Sequence, residues 1–175
     1  MAATIRPRAI DSSAEWLPRR AGCRDMPLRL DPVVTATYVV TLAAPVAAYV
    51  SIRLARARDH DRHRIVQAVL VVMGWLAVMS LELRIRFAGG SGVFVERAPP
   101  ELLGWAHRLL AIHIAVAVTT YAVWSWLAVA SWRRYGAQLP GSFSRRHRQL
   151  GTMVFGGLCF TAASATGIFA IAFVL

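Results

Sequence analysis

Four long apolar stretches, separated by shorter polar segments, dominate the chain. They cover about residues 32–52, 65–83, 102–131 and 150–175. A helix needs roughly 20 predominantly apolar residues to cross a hydrocarbon layer of about 30 Å, and each stretch meets that length. The pattern therefore predicts an all-α fold, an integral membrane four-helix bundle made of two helical hairpins.

The composition agrees with this pattern. The chain has 175 residues and is 57% hydrophobic, whereas soluble domains are typically about 45–50% apolar. A soluble protein of this composition would expose large apolar patches, and a disordered one would be far less hydrophobic. Both classes are excluded, and a lipid bilayer is the expected surrounding.

The positive charge is concentrated in two places. The net charge is +11, every basic residue is Arg, and the segments 53–64 and 133–148 hold five arginines each. Both segments must lie on one side of the membrane because two spans separate them, and cytoplasmic loops are enriched in basic residues. We therefore expect both segments in the cytoplasm, the termini on the outer side of a bacterial inner membrane, and no nucleic-acid partner.

Residues 1–25 form a separate basic segment. It lacks the apolar core of a signal peptide, and Pro7 and Pro18 interrupt it. Its arginines would have to be exported in the expected topology. We therefore predict that translation starts at Met26, that residues 1–25 are a poorly structured leader absent from the mature protein, and that residues 26–175 form the four-span domain. A genuine disordered or surface-lying tail is the alternative.

His113 is an ionisable residue inside the third apolar stretch, eight residues beyond Trp105. Ionisable side chains at membrane depth are costly and mark candidate functional sites. An imidazole there can ligate haem or a metal, or handle a proton. The alternative is a histidine that hydrogen-bonds a neighbouring helix and serves packing alone.

A His-Arg pair closes each arginine-rich segment, as His63-Arg64 and as His147-Arg148. The repetition suggests two similar hairpins packed side by side. The two imidazoles can bind a metal or meet the periphery of a haem, with the arginines on haem propionates or lipid phosphate. Ordinary anchoring at the membrane surface is the alternative.

Three further ionisable residues lie near the outer ends of the second and third stretches. Arg108 can extend to headgroup level, and Glu82 is its expected ion-pair partner. We assign Glu82, Arg108 and His107 a structural role. The sequence has no phosphate-binding loop, serine-nucleophile or zinc-protease motif, so we expect no enzymatic activity.

The order of these motifs resembles the domain-of-unknown-function 420 family, small four-span membrane proteins that include the YozB/CtaM-like cytochrome oxidase assembly proteins. The resemblance covers roughly residues 26–175. It rests on His63-Arg64, Phe87-Ala88-Gly89-Gly90-Ser91-Gly92-Val93-Phe94, His113-Ile114-Ala115-Val116-Ala117, His147-Arg148 and Thr166-Gly167.

The resemblance implies a non-catalytic protein that assists assembly of a terminal haem-copper oxidase or handles haem, with oxidase subunits or another respiratory complex as partners. It makes His113, His63 and His147 the candidates for binding haem or a metal. Family members tend to have Tyr and His where this chain has Ser80-Leu81-Glu82-Leu83-Arg84. The alternative is a small haem-binding or structural transmembrane subunit of a respiratory electron-transfer complex.

Overall fold

Four helices make up most of the described part of the chain, which is residues 31–88, 95, 98–135 and 141–173 of a computed structural model. Helix α1 spans Pro32–Arg56, α2 spans His60–Ala88, α3 spans Pro100–Arg134 and α4 spans Ser144–Phe173. These ranges contain no strand, and the all-α four-helix prediction is confirmed. The predicted leader, residues 1–25, lies outside the described residues.

The four helices pack in a ring. The contacts between α1 and α2 and between α3 and α4 are the most extensive. Contacts of α1 with α4 and sparser contacts of α2 with α3 close the ring. Two antiparallel hairpins therefore lie side by side, and α2 and α4 face each other diagonally across the bundle.

The interior contains two apolar clusters, while the outer faces are also apolar. One cluster comprises Ala44, Ala48, Trp124, Val154 and Leu158, and the other comprises Val95, Ala98, Ala106 and Ile168. Many large apolar side chains lie on the outside, among them Val46, Val118 and Phe87. All four helices are long and apolar enough to cross a membrane. An apolar exterior on helices that satisfy their own backbone is what lipid requires, so the chain is a multi-pass membrane protein.

A three-residue turn, Ala57-Arg58-Asp59, joins α1 to α2. Arg58 has the left-handed backbone conformation with φ 64°. The amides of Arg58 and Asp59 donate to the carbonyls of Ala55 at 3.1 Å and Leu54 at 3.0 Å, the bonding pattern that terminates many helices. Asp59 then caps α2, because its Oδ1 accepts from the Arg62 amide at 3.2 Å. This tight reversal brings the end of α1 beside the start of α2.

The two hairpins begin differently. Asp31 caps α1 by accepting from the amides of Val33 at 2.9 Å and Val34 at 3.3 Å, and its Oδ2 accepts from Arg84 Nε at 2.6 Å. Burial alone raises the pKa of Asp31, but these hydrogen bonds outweigh it and hold the pKa below its ordinary value. Helix α3 follows Pro99, which makes no side-chain capping bond.

Candidate functional site

The two histidines of the repeated His-Arg pairs meet at one end of the bundle. We call this the arginine-rich end; it comprises the ends of α1 and α3 and the starts of α2 and α4. The ring centroids of His63 on α2 and His147 on α4 are 6.1 Å apart, and their planes make an angle of 80°. Both residues are half-buried. Because α2 and α4 are diagonal neighbours, the rings meet near the bundle axis.

Ser51 of α1 holds His63. The Nδ1 atom of His63 lies 2.8 Å from the Ser51 carbonyl oxygen and 2.9 Å from Ser51 Oγ, and Ser51 is 0% exposed. A carbonyl oxygen only accepts, so Nδ1 of His63 carries the proton in this bond. The neutral ring then has its lone pair on Nε2, the arrangement in which histidine ligates a metal while its other nitrogen is hydrogen-bonded.

A chain of hydrogen bonds continues from Ser51 into the interior. Gln67 Nε2 donates to Ser51 Oγ at 3.1 Å, and Gln67 Oε1 accepts from Trp124 Nε1 at 2.7 Å. Trp124 belongs to the first apolar cluster and is 3% exposed. The chain joins α1, α2 and α3, and it ties the orientation of His63 to the packing of the core.

Ser131 of α3 holds His147 in a similar way. Ser131 Oγ lies 2.8 Å from His147 Nδ1, and the buried ring of Phe143 lies 6.4 Å from the His147 ring, centroid to centroid. In both hairpins, therefore, a serine near the end of one helix binds Nδ1 of a histidine near the start of the next. Within the described ranges, neither Nε2 atom makes a hydrogen bond.

The serines and Gln67 are site residues that sequence reasoning missed. Ser51-Ile52-Arg53 and Ser131-Trp132-Arg133 repeat a Ser-x-Arg pattern, which could have indicated the serines. The serine precedes the histidine by 12 residues in the first hairpin and by 16 in the second. Gln67 lies four residues after His63, and residues four apart share a helix face. It is also a polar residue among apolar ones, which could have indicated its role.

Arginines flank the pair and are held by aromatic rings. The Arg64 guanidinium lies over the rings of Trp132 at 4.6 Å and Tyr135 at 4.3 Å, and 3.5 Å from the Asp61 carboxylate. The Tyr135 hydroxyl donates to Asp61 at 3.0 Å, which raises the pKa of Tyr135. These contacts bind α2 to the end of α3. The Arg64 guanidinium is therefore held between two aromatic rings and beside the Asp61 carboxylate.

His113 lies at a different level of the bundle. Ser131 follows it by 18 residues on α3, about 27 Å along the helix. Its Nδ1 lies 2.8 Å from Ser164 Oγ of α4. The Ser164 hydroxyl donates to the Phe160 carbonyl at 2.7 Å, so it accepts from His113. This is the interhelical bond that the packing alternative describes, and the three candidate histidines do not form one site.

The structure does not join Glu82 to Arg108, contrary to expectation. Glu82 pairs with Arg86, four residues on in the same helix, at 2.6 Å. Arg108 instead lies over the Trp105 ring at 5.4 Å, and the exposed His107 bonds a carbonyl of its own helix. The physical reason is that α2 and α3 pack sparsely, whereas a partner one helical turn away is always within reach.

The pair offers two nitrogen ligands but no room for a haem between them. The described ranges contain no group of three or more His, Cys, Asp or Glu side chains placed to share a metal. A porphyrin held between two axial imidazoles needs an open slot around its metal. The residues that contact the pair, Ser51 and Phe143, and Trp124 at the end of the hydrogen-bonded chain are instead each at most 7% exposed. A resident haem ligated by both histidines does not fit.

Comparison with known protein families, with curated proteins and with solved structures finds no match to this chain. The resemblance to the four-span oxidase assembly family therefore stays a prediction.

Proposed function

We propose that this chain is a non-catalytic membrane protein that assists assembly of a terminal haem-copper oxidase, with the His63–His147 pair as its working site. The observation that carries the proposal is that each hairpin contributes one serine-anchored imidazole to a shared position on the bundle axis. We propose oxidase assembly as the process because the order of the motifs resembles that of oxidase assembly proteins.

The arginine-rich end faces the cytoplasm in this proposal. The segments 53–64 and 133–148 contribute ten arginines to that end. An excess of arginine in short loops marks the cytoplasmic side of inner-membrane proteins. The histidine pair then lies at the cytoplasmic membrane surface, where soluble donors and newly made oxidase subunits both have access.

A site shared by two hairpins suits a protein that accepts and releases a cargo. A ligand that contacts both His63 and His147 also fixes the two hairpins relative to each other. Binding is therefore coupled to the geometry of the whole bundle, because a ligand favours whichever arrangement it binds better. This coupling is a means of passing a bound group to a partner that prefers another arrangement.

Deletion and complementation test the proposal. Haem-copper oxidase content is measured from reduced-minus-oxidised visible spectra of membranes. We expect a deletion strain to lose most of the oxidase signal. The wild-type chain and the control His107→Gln should restore it, and the double variant His63→Asn with His147→Asn should not. Normal oxidase content in the deletion strain would refute the assembly role.

Asparagine is chosen because its amide group can take the place of Nδ1 on the serine while lacking Nε2. An immunoblot of the membranes checks that the double variant accumulates like the wild-type chain. If the double variant accumulates and restores the oxidase fully, the histidine pair is not the working site.

The alternative, a small haem-binding or structural subunit of a respiratory complex, rests on His113, a histidine in the middle of a span. A stoichiometric haem spectrum of the detergent-purified protein that is abolished by His113→Ala would favour the haem-binding subunit. Stable co-purification with a respiratory complex whose haem content is independent of this chain would favour the structural subunit.

A further inference from the structure

We infer that His63 and His147 together bind a single cuprous ion, Cu(I), between their Nε2 atoms. This inference deepens the proposed function, because it names the cargo of the same pair of histidines. We consider a single metal ion because a resident haem does not fit between the two rings.

The ring separation agrees with a metal ion placed between two imidazoles. With metal–nitrogen bonds of about 2 Å, two imidazoles on opposite sides of one ion have ring centroids roughly 6.3 Å apart, and two at a tetrahedral angle have centroids roughly 5 Å apart. The observed distance is 6.1 Å, which lies near the linear, two-ligand arrangement. The 80° angle between the rings is compatible with it, because each ring can rotate about its metal–nitrogen bond.

Both histidines are hydrogen-bonded through Nδ1, which leaves Nε2 for a ligand. The Ser51 carbonyl fixes the proton of His63 on Nδ1 and leaves the lone pair on Nε2. Ser131 Oγ occupies Nδ1 of His147, so Nε2 is likewise the nitrogen left for a ligand. Hydrogen bonds to the far nitrogen orient a metal-binding imidazole and increase its basicity.

The number of ligands and the local charge select the ion. A structural zinc ion takes four protein ligands, and within the described residues no third His, Cys, Asp or Glu joins a metal-binding group. Imidazole nitrogen is a suitable donor for copper, and Cu(I) is stable with two ligands. The arginines at this end repel a divalent ion about twice as strongly as a monovalent one, which further favours Cu(I).

Titration of the full-length protein in detergent under anaerobic conditions tests the inference. Cu(I) is added in competition with a chromophoric Cu(I) chelator. We expect one Cu(I) per chain, with affinity lowered at least tenfold in His63→Asn and in His147→Asn, and 10- to 100-fold in Ser131→Ala. The control variants His60→Asn and His107→Asn should bind as the wild-type chain does. X-ray absorption at the copper edge should show two nitrogen ligands.

Several outcomes would overturn the inference. They are Cu(I) binding that survives in the double asparagine variant, a coordination number of four, and Zn²⁺ binding as tight as that of Cu(I). The two proposals also fail separately. A chain that binds no Cu(I) while its deletion still lowers oxidase content disproves this inference and leaves the assembly role standing. Stoichiometric Cu(I) binding with normal oxidase content on deletion does the reverse.

Discussion

Each hairpin contains a histidine that is hydrogen-bonded to a serine, but the histidine of the first hairpin makes more of these bonds than the histidine of the second. In the first hairpin a three-residue turn precedes α2. His63 bonds both a backbone carbonyl and a hydroxyl that Gln67 also contacts. In the second hairpin the connection between α3 and α4 is longer, and His147 has one serine hydroxyl and the ring of Phe143. A ring held by several interlinked bonds reorients less readily than a ring held by one. We therefore expect His63 to be the fixed member of the pair and His147 the adjustable one.

The largest expected effect on the free energy of unfolding comes from a substitution that pushes apart the two helices of the second hairpin. Gly157 on α4 lies directly against the side chain of Thr120 on α3, so a Cβ at position 157 would overlap it. We expect Gly157→Val to lower the free energy of unfolding by about 3 kcal/mol, measured by thermal unfolding in detergent.

The adjacent glycine provides the matched control for this prediction. A Cβ at Gly156 meets no atom within 4 Å. Gly156→Val should change the free energy of unfolding by less than about 1 kcal/mol. Equal losses in the two variants would mean that the close contact between α3 and α4 at Thr120 does not support the hairpin.

The second largest effect should arise from removing the amide that stabilises the first hairpin. In Gln67→Leu, Trp124 Nε1 loses its acceptor and Ser51 Oγ loses a donor. Leaving buried polar groups unpaired should lower the free energy of unfolding by about 2 kcal/mol. Gln149, an exposed residue near the start of α4, is the control. Gln149→Leu should have little effect, and an equal loss from it would contradict the role of the hydrogen-bonded chain.

The different starts of the hairpins predict acid sensitivity in the first one. Because the pKa of Asp31 is lowered on folding, its contribution to stability is complete above the ordinary carboxyl pKa and is lost as the pH falls through the lowered value. Near pH 7, Asp31→Asn should lower the free energy of unfolding by about 1.5 kcal/mol, because the charged bond to Arg84 is lost.

The difference between the wild-type chain and Asp31→Asn should shrink to nothing as the pH falls below the lowered pKa, as measured by thermal unfolding at a series of pH values. Glu101→Gln, in the first turn of α3, is the control in the second hairpin for the loss of a carboxylate near a helix start. A difference for Asp31→Asn that is constant with pH would refute the charged contact.

The smallest effect on the free energy of unfolding should come from replacing the serines. These variants test most directly whether His63 is held more rigidly than His147. Ser131→Ala removes the serine bond of His147, whereas Ser51→Ala leaves the backbone carbonyl bonded to His63. We expect a loss of about 1 kcal/mol from Ser131→Ala. Nitrogen-15 spectra of the imidazoles should then show mixed tautomers for His147 in Ser131→Ala and an unchanged single tautomer for His63 in Ser51→Ala. Equal behaviour of the two rings would remove the distinction between fixed and adjustable members.

The helices were predictable because the length of an apolar stretch and the surrounding lipid together permit few backbone structures. An apolar stretch of about 20 residues in a bilayer can satisfy its backbone only as a helix or within a closed barrel. The starts of α2 at His60 and α4 at Ser144 precede the predicted spans by several residues. These additional helical turns consist of polar residues, so a search for apolar stretches does not detect them.

The site was predictable only in part. The repeated His-Arg pairs identified His63 and His147, but their meeting on the bundle axis depends on which helices lie diagonally. Likewise, no local pattern separates Gly157, which lies against Thr120, from its neighbour Gly156, which faces open space. The expected pairing of Glu82 with Arg108 failed for the same reason, because the distance between helices is a property of the packed bundle.

The length of α3 has a consequence for the lipid around the bundle. Helix α3 has 35 residues and α1 has 25, which correspond to about 52 Å and 38 Å. Both helices end among the arginines, so the difference is concentrated at the opposite end. A flat bilayer of uniform thickness cannot match both sides of such a molecule. Tilt of α3 and a local change of bilayer thickness between α3 and α1 both reduce this mismatch, and neighbours of matching hydrophobic thickness are favoured beside each face.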